Sequence, residues 1–330
     1  MSEFLYINYP SWIHPEVFPG VPVLGLIRWY GLMYIVAFCT AYYILKKQLK
    51  EGAFDSVEKK ATEDDIFSFI AFGIAFLLIG ARVFSTLVYD TSGLYREKPW
   101  LIFWPFQEGC KFTGLQGMSY HGGFIGGFLG TVIWCKIHKR SMWQWIDAMA
   151  IAIPAGYTFG RIGNFLNGEL YGRITDAPWG VVFPDANKFS GSIQWVKDFA
   201  LKIGMEVSDT SVLNLPRHPS QLYESFFEGI VLFAILWFLR KKKPFEGFMT
   251  CAYIFGYGFV RFIIEYFREP DADIGYRFGD KSASLSLNTS LTNISTGQVL
   301  CFGMMLFAIG LGLVLFIINR KKNQKNTASV

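Results

Sequence analysis

The sequence predicts an all-α polytopic membrane protein: seven transmembrane helices with a small extramembrane head, the N-terminus outside and the C-terminus inside. Three observations predict it. Of the 330 residues, 52% are hydrophobic and 18% aromatic while only 17% are charged. An average soluble domain is about a quarter charged, so a soluble enzyme of this length would lack polar surface. Residues 299–319 form a block of 21 without a charge, and a span needs about 20. Lysines and arginines, finally, gather at one set of the connections between apolar blocks, an asymmetry that orients a chain in a bilayer.

Seven stretches qualify as spans by scarcity of charge: 26–45, 66–88, 113–135, 142–160, 222–239, 247–267 and 299–319. Basic clusters follow the first (Lys46, Lys47, Lys50), the third (Lys136, Lys139, Arg140), the fifth (Arg240, Lys241, Lys242, Lys243) and the seventh (Arg320, Lys321, Lys322, Lys325). Segments 46–65, 136–140, 240–243 and 320–330 hold 16 Lys and Arg in 40 residues, whereas 89–113, 162–217 and 269–297 hold 10 in 110. No Lys or Arg precedes Arg28. The basic side is therefore the cytoplasmic one. The outward connections are the long ones, and 162–217, inserted between spans four and five, is large enough for a head rich in Gly, Pro, Asp and Trp. The inward connections leave no room for a domain. The chain thus reads as one integral-membrane domain, 1–330, with any chemistry at the outer face or within the membrane. The polar stretch 282–296 reads as a surface loop.

The net charge of +5 does not point to nucleic acid, because the basic residues are not gathered on one face or tail. Cys39, Cys110, Cys135, Cys251 and Cys301 are odd in number and unclustered, so neither a disulfide framework nor a metal site is expected. The N-terminus lacks a basic stretch followed by a short apolar core, so no cleavable signal peptide is expected. No internal repeat of the kind that marks many transporters is present.

Five arginines remain at or inside the spans: Arg28, Arg82, Arg161, Arg261 and Arg268. A charge there is costly without a partner or water, which makes each a functional candidate. Counted from the nearest inward boundary at 1.5 Å per residue, Tyr30, Arg82 and His121 stand about 22–24 Å up, Arg261 about 27 Å and Arg161 about 31 Å. Five spans thus deliver polar groups to the outer part of a core about 30 Å thick. One such arginine can snorkel to a lipid phosphate and do nothing else. A layer of several with a histidine points to an anionic ligand, and phosphate at headgroup depth is the most available anion. Asp147 lies too close to the cytoplasmic side for this layer and reads as a bundle-stabilising residue.

His121 is followed by Gly122, Gly123, Gly126, Gly127 and Gly130. These glycines allow close helix packing or the close approach of an acyl chain. A neutral histidine acting as interhelical glue is the plainer reading, while an ordinary pKa of about 6.5 suits it as a general base. The densest segment is Gly160-Arg161-Ile162-Gly163-Asn164-Phe165-Leu166-Asn167-Gly168-Glu169-Leu170-Tyr171-Gly172-Arg173, with two Arg, two Asn, one Glu and four Gly. Its glycines suit irregular backbone lining a cavity, and its Arg and Asn suit a headgroup.

At these residues the sequence resembles the prolipoprotein diacylglyceryl transferases of bacterial inner membranes. Three further motifs fall in the expected order: Trp29-Tyr30-Gly31-Leu32-Met33-Tyr34, His121-Gly122-Gly123, and Arg217-His218-Pro219-Ser220-Gln221-Leu222-Tyr223-Glu224. A fourth runs from Tyr257 through Arg261, Glu265 and Arg268 to Asp271. Phe124 stands where the family more often has Leu, and 272–296 is longer than typical. The resemblance implies a seven-span enzyme with a periplasmic head and an active site in the outer half of the membrane. It would move the diacylglyceryl group of phosphatidylglycerol to the lipobox cysteine of a prolipoprotein signal peptide, leaving a thioether and glycerol phosphate, with no cofactor. It places Arg161 and Arg261 on the phosphate and His121 as base or positioning residue, with Glu169 or the lipid phosphate itself as the alternative proton acceptors. Asn164, Glu169, Tyr30 and Glu265 then orient substrate, Gly122 lies beside it, and Tyr34 and Arg268 assist. His218 reads as structural, because its neighbour Pro219 sits at a loop-to-helix entry.

The chemistry agrees with those residue types. A cysteine thiol with a pKa of about 8.5 is mostly protonated at neutral pH, so a base helps it attack. Charge then grows on the departing phosphate, where arginine donors stabilise it. An anion or lipid channel or transporter would also explain intramembrane arginines. It predicts polar positions along a path to the cytoplasm, however, and spans one, three and seven are nearly all apolar in their inner halves.

Overall fold

The computed structural model describes residues 6–21, 24–54, 60–107, 111–112, 117–270 and 275–328. Cys110, Asp271, the first residues of the 113–135 stretch and the first of 272–296 lie outside them. The protein is mostly helical. The principal helices are α1 (Trp29–Lys50), α2 (Glu63–Phe84, continued by a π turn Ser85–Tyr89), α3 (Tyr120–Ile137), α4 (Met142–Leu166) and the short α5 (Gln194–Lys202). Next come α6, in three parts (Ser220–Tyr223, a π-helical stretch Glu224–Val231, and Leu232–Leu239), then α7 (Phe248–Ile264) and α8 (Thr296–Ala328). Among the described residues three segments, Glu63–Tyr89, Ser220–Lys242 and Thr296–Lys322, are long and apolar enough to cross a membrane, and Phe248–Ile264 is a shorter apolar helix.

The chain divides into two compact units, Tyr42–Met149 and Met1–Ala41 with Ala150–Val330. In the first, Thr62 caps α2: its hydroxyl accepts from the Asp65 N–H, and the Asp65 carboxylate accepts from the Thr62 N–H. Asp65 also pairs with Arg140 at 2.7 Å. α2 and α3 approach until their backbones touch. A Cβ on Gly122 would stand 2.3 Å from the Gly80 carbonyl oxygen, and one on Gly126 2.2 Å from that of Phe76. The glycine row after His121 is therefore taken up largely by helix packing. Farther along, Trp134 and Trp145 are fully buried, with ring centroids 4.5 Å apart, and Phe69 meets Trp134 edge-on at 5.1 Å.

In the second unit, α4 runs on to Leu166, so Arg161 and Asn164 stand on the last turns of a helix. The irregular backbone begins just beyond it, with Gly168 and Leu170 both at positive φ. The head that follows is built from short strand pairs, Ile7–Asn8 with Val181–Val182 and Phe189–Ser190 with Val212–Leu213, with one core of Ile174, Val196, Ala200, Leu213 and Leu215 and another of Val181, Phe183 and Ala186. Arg217 pins it. Its buried guanidinium reaches Glu269 at 2.5 Å and the Gly172 carbonyl at 3.2 Å, with the Tyr171 ring beside it. The polar stretch 282–296, expected as a surface loop, is in part built into this head. Ile294–Ser295 pairs with Tyr276–Phe278, and the Ser286 carbonyl accepts from Ile174 N–H at 2.8 Å. Backbone pairing orders a segment whose polar side chains give no sign of it.

Candidate active site

Three helices of the second unit bring charged side chains to one place. α4 carries Tyr157, Arg161 and Asn164, spaced four and three residues apart and hence on one face. α6 carries Glu224 and Glu228 within its π-helical stretch. Such stretches are rare and favour functional sites. α7 carries Arg261 in its last turn and is capped by Glu265, and Arg268 follows three residues later.

Glu224 is the pivot. Its Oε2 lies 2.7 Å from Arg161 Nε and its Oε1 lies 3.1 Å from Arg261 Nη1, with Arg268 Nε at 3.9 Å. Arg261 Nη1 is also 3.6 Å from Glu228, and its Nη2 is 3.3 Å from Glu265. The Tyr157 hydroxyl accepts from Arg161 Nε at 2.6 Å and donates to Glu228. Glu265 is held from its other side by the Ser295 hydroxyl at 3.1 Å. Glu224 and Glu228 are fully buried and Glu265 nearly so. Three arginines thus face three glutamates, a balance that buried charges require because each unpaired one would cost several kcal/mol. Despite this crowding, Arg261 Nη1 is buried without an aligned hydrogen bond. The ion pairs neutralise that guanidinium and leave donor capacity on it.

A second chain of contacts leads outward. Arg161 Nη1 donates to Asn164 Oδ1 at 3.4 Å, and Asn164 Nδ2 donates to Glu169 Oε1 at 2.9 Å. The Glu169 backbone carbonyl is fixed by Gln221 Nε2 at 2.6 Å. Tyr30 packs its ring against the face of Gly163, about 3.5 Å from where a Cβ there would be, and its hydroxyl meets that of Tyr34 at 3.0 Å. The expected residues Arg161, Arg261, Asn164, Glu169, Glu265 and Arg268 are therefore joined in one network, with Tyr30 and Tyr34 against the same helix.

Other expected residues have other surroundings. In the first unit, His121 is exposed, and its Nδ1 lies 2.7 Å from the Tyr89 hydroxyl. Gly122 is buried against Gly80 and Phe84. Arg82, another of the candidate arginines, is buried and directs its guanidinium to the Ile102 and Gly117 carbonyls and the Tyr95 hydroxyl, so it fastens the connection that follows α2. Asp147 is buried in the same unit. In the second unit, Arg28 forms an isolated antiparallel bridge with Glu16. His218, just before α6, touches the Tyr223 hydroxyl and the Phe267 ring, and burial pushes its pKa down to about 4. Its neutral imidazole is a packing group.

Glu224, Glu228 and Tyr157 were not among the expected site residues. The signal for the acids was present: two glutamates four apart in an otherwise apolar stretch, as costly in lipid as any arginine.

A family model described as prolipoprotein diacylglyceryl transferase matches residues 21–315. The chain is 53% identical over 334 residues to the phosphatidylglycerol–prolipoprotein diacylglyceryl transferase of Treponema denticola, covering 97% of this chain and 98% of that one. To the protein of the same name from Treponema pallidum it is 51% identical, over 93% and 94% of the two chains. To that of Campylobacter lari it is 37% identical, over 91% and 93%. Matches of this extent include the arginine network and the head alike, and the chain belongs to the prolipoprotein diacylglyceryl transferase family.

Proposed function

We propose that this protein transfers the diacylglyceryl group of phosphatidylglycerol to the cysteine thiol of a prolipoprotein lipobox. Family membership supports the reaction. The observation that carries it to particular residues is the meeting of Arg161 and Arg261 on Glu224, with buried donor capacity left on Arg261. A lipid phosphate taking those donors would be held by two guanidiniums, and as the glyceryl carbon–oxygen bond breaks they would stabilise the charge collecting on the phosphate. The thiolate attacks the sp³ glyceryl carbon, a thioether forms, and glycerol phosphate departs.

Asn164 and Glu169 orient the lipid through the chain of hydrogen bonds from Arg161, and Glu265 fixes Arg261. Tyr30, with Tyr34 behind it, borders the same helix. His121 takes the thiol proton or positions the acceptor, and Gly122 lets the helix carrying it pack closely. The role of His121 rests on its chemistry and its motif, since it belongs to the other compact unit. The full arrangement we infer is seven spans in the bacterial inner membrane, N-terminus out and C-terminus in, a single catalytic domain with 162–217 as periplasmic head, and the reaction in the outer half of the bilayer.

The test is to incubate purified protein with phosphatidylglycerol and a lipobox peptide and look for the diacylglyceryl thioether by mass spectrometry. No product from an intact, folded preparation, with phosphatidylethanolamine and cardiolipin also tried as donors, would overturn the proposal.

A further inference from the structure

Tyr89 and His121 come from two helices of the first unit and meet side chain to side chain. The Tyr89 hydroxyl lies 2.7 Å from His121 Nδ1, and the two rings stand perpendicular with centroids 6.4 Å apart. Both residues are exposed, which would ordinarily leave such a pair loose, yet each is mounted on fixed backbone. α2 and α3 touch at Gly80 and Gly122, which sets their separation. The chain entering α3 is tied to the end of α2 twice more: Ser119 N–H donates to the Ala81 carbonyl at 2.9 Å, and Arg82 Nη1 to the Gly117 carbonyl at 3.3 Å. Ser119 then caps α3, its hydroxyl accepting from Gly122 N–H at 3.2 Å. On the other side, α2 continues into the π turn Ser85–Tyr89. The wider turn rotates Tyr89 out of the position a continued α-helix would give it, and such turns favour functional sites. Phe84 meets the Tyr89 ring edge-on at 5.5 Å, so the ring is packed and the hydroxyl is what reaches His121.

We propose that Tyr89 is a positioning residue for the transfer reaction: its hydroxyl oxygen accepts from His121 Nδ1–H and so leaves Nε2 as the nitrogen that receives the thiol proton. The inference rests on the reading of His121 as the base. A neutral imidazole has one N–H and one bare nitrogen, and the hydrogen bond made by one nitrogen decides which of them carries the hydrogen. A phenol can donate or accept, so two arrangements fit the contact. If Tyr89 donates, Nε2 carries the hydrogen and the imidazole has no free lone pair for a thiol. If Tyr89 accepts, Nε2 is bare. The S–H bond then breaks as an N–H bond forms at Nε2, and the thiolate attacks the glyceryl carbon. The carbon–oxygen electron pair leaves with the phosphate, and the proton ends on glycerol phosphate, directly or through water. Throughout, the imidazolium keeps the bond from Nδ1–H, now charge-assisted and stronger. Only this arrangement serves both protonation states without turning the ring. The hydrogen of the exposed Tyr89 hydroxyl goes to water or to a lipid oxygen.

The experiment reads the tautomer and the turnover separately. Nitrogen NMR on protein carrying isotope-labelled histidine reports on the chain's four histidines, His121 being the signal lost in His121→Gln. At a pH where the imidazoles are neutral, the wild type is expected to carry the hydrogen of His121 on Nδ1. In Tyr89→Phe, which keeps the ring against Phe84 and loses the hydroxyl, the hydrogen shifts toward Nε2. With a lipobox peptide, kcat of that variant falls roughly 10-fold while KM for phosphatidylglycerol stays near the wild-type value, as the loss of one hydrogen bond to the imidazolium implies. A residue that merely held the helices together would lower the melting temperature and leave the tautomer alone. Hydrogen on Nε2 in the wild type, an unshifted tautomer in Tyr89→Phe, or a wild-type kcat in that variant overturns the positioning role. Wild-type turnover in His121→Gln overturns instead the reading of His121 as the base.

Discussion

Arg161 Nε lies 2.7 Å from Glu224 Oε2, and the two side chains come from different helices. Because the same carboxylate also receives Arg261, it fixes the spacing of two guanidiniums. Glu224→Gln keeps the shape and removes the charge, leaving two buried arginines short of compensation. Breaking one partner of a buried pair costs about 3–5 kcal/mol. The expected outcome is a clear fall in melting temperature in detergent, with thioether formation reduced at least about 10-fold. Glu224→Asp retains the charge and should recover part of both. Wild-type stability and turnover in Glu224→Gln would show that the carboxylate does not organise the arginines.

Arg261 uses its two terminal nitrogens on different acids: Nη1 is shared by Glu224 and Glu228, and Nη2 faces Glu265. Lysine keeps the charge but cannot reproduce a planar fork. Arg261→Lys should therefore remain folded, with a melting temperature near that of the wild type, while retaining less than roughly a tenth of the activity. Full turnover would refute a bidentate role for this residue.

How far the sequence made this network legible follows from what a linear reading can detect. Arg161 and Arg261 stand out because a charge in an apolar block is conspicuous in one dimension. Glu224 and Glu228 are just as conspicuous, but a census of lysine and arginine passes over them. Pairing itself is three-dimensional. Nothing in the spacing of Arg82 distinguishes it from Arg161, yet one fastens loop carbonyls and the other a carboxylate. The helical stretches were legible because composition alone marks them. The antiparallel pairing of Tyr276–Phe278 with Ile294–Ser295 was not, because backbone hydrogen bonds leave little trace in a polar sequence.

The glycines of α3 separate into two kinds, and the difference is measurable. A Cβ at Gly126 would stand 2.2 Å from the Phe76 carbonyl oxygen, whereas one at Gly127 would meet only Leu77 Cβ at 3.8 Å, an ordinary contact. Gly126→Ala must push α2 and α3 apart, an overpacking cost of about 1–3 kcal/mol. Gly127→Ala should melt within a degree or two of the wild type. Equal melting temperatures for the two variants would contradict the close approach of the helices.

His218 gives the head a stability that depends on pH in a defined direction. Burial lowers its pKa to about 4, with Asp176 opposing the shift, whereas an unfolded chain carries a histidine near 6.5. Between those values the unfolded state binds more protons than the folded one, so stability rises with pH there. The contribution is complete above about pH 6.5 and is lost as pH falls toward 4. Asp176, held below its ordinary pKa by Lys202, titrates beneath this window and does not imitate the effect. Melting temperature followed from pH 7.5 to 4 should stay level at first and then decline. His218→Asn, which keeps a polar partner for the Tyr223 hydroxyl but cannot take up the proton, should flatten the decline. An acid limb of the same slope in both proteins would place its origin in other groups.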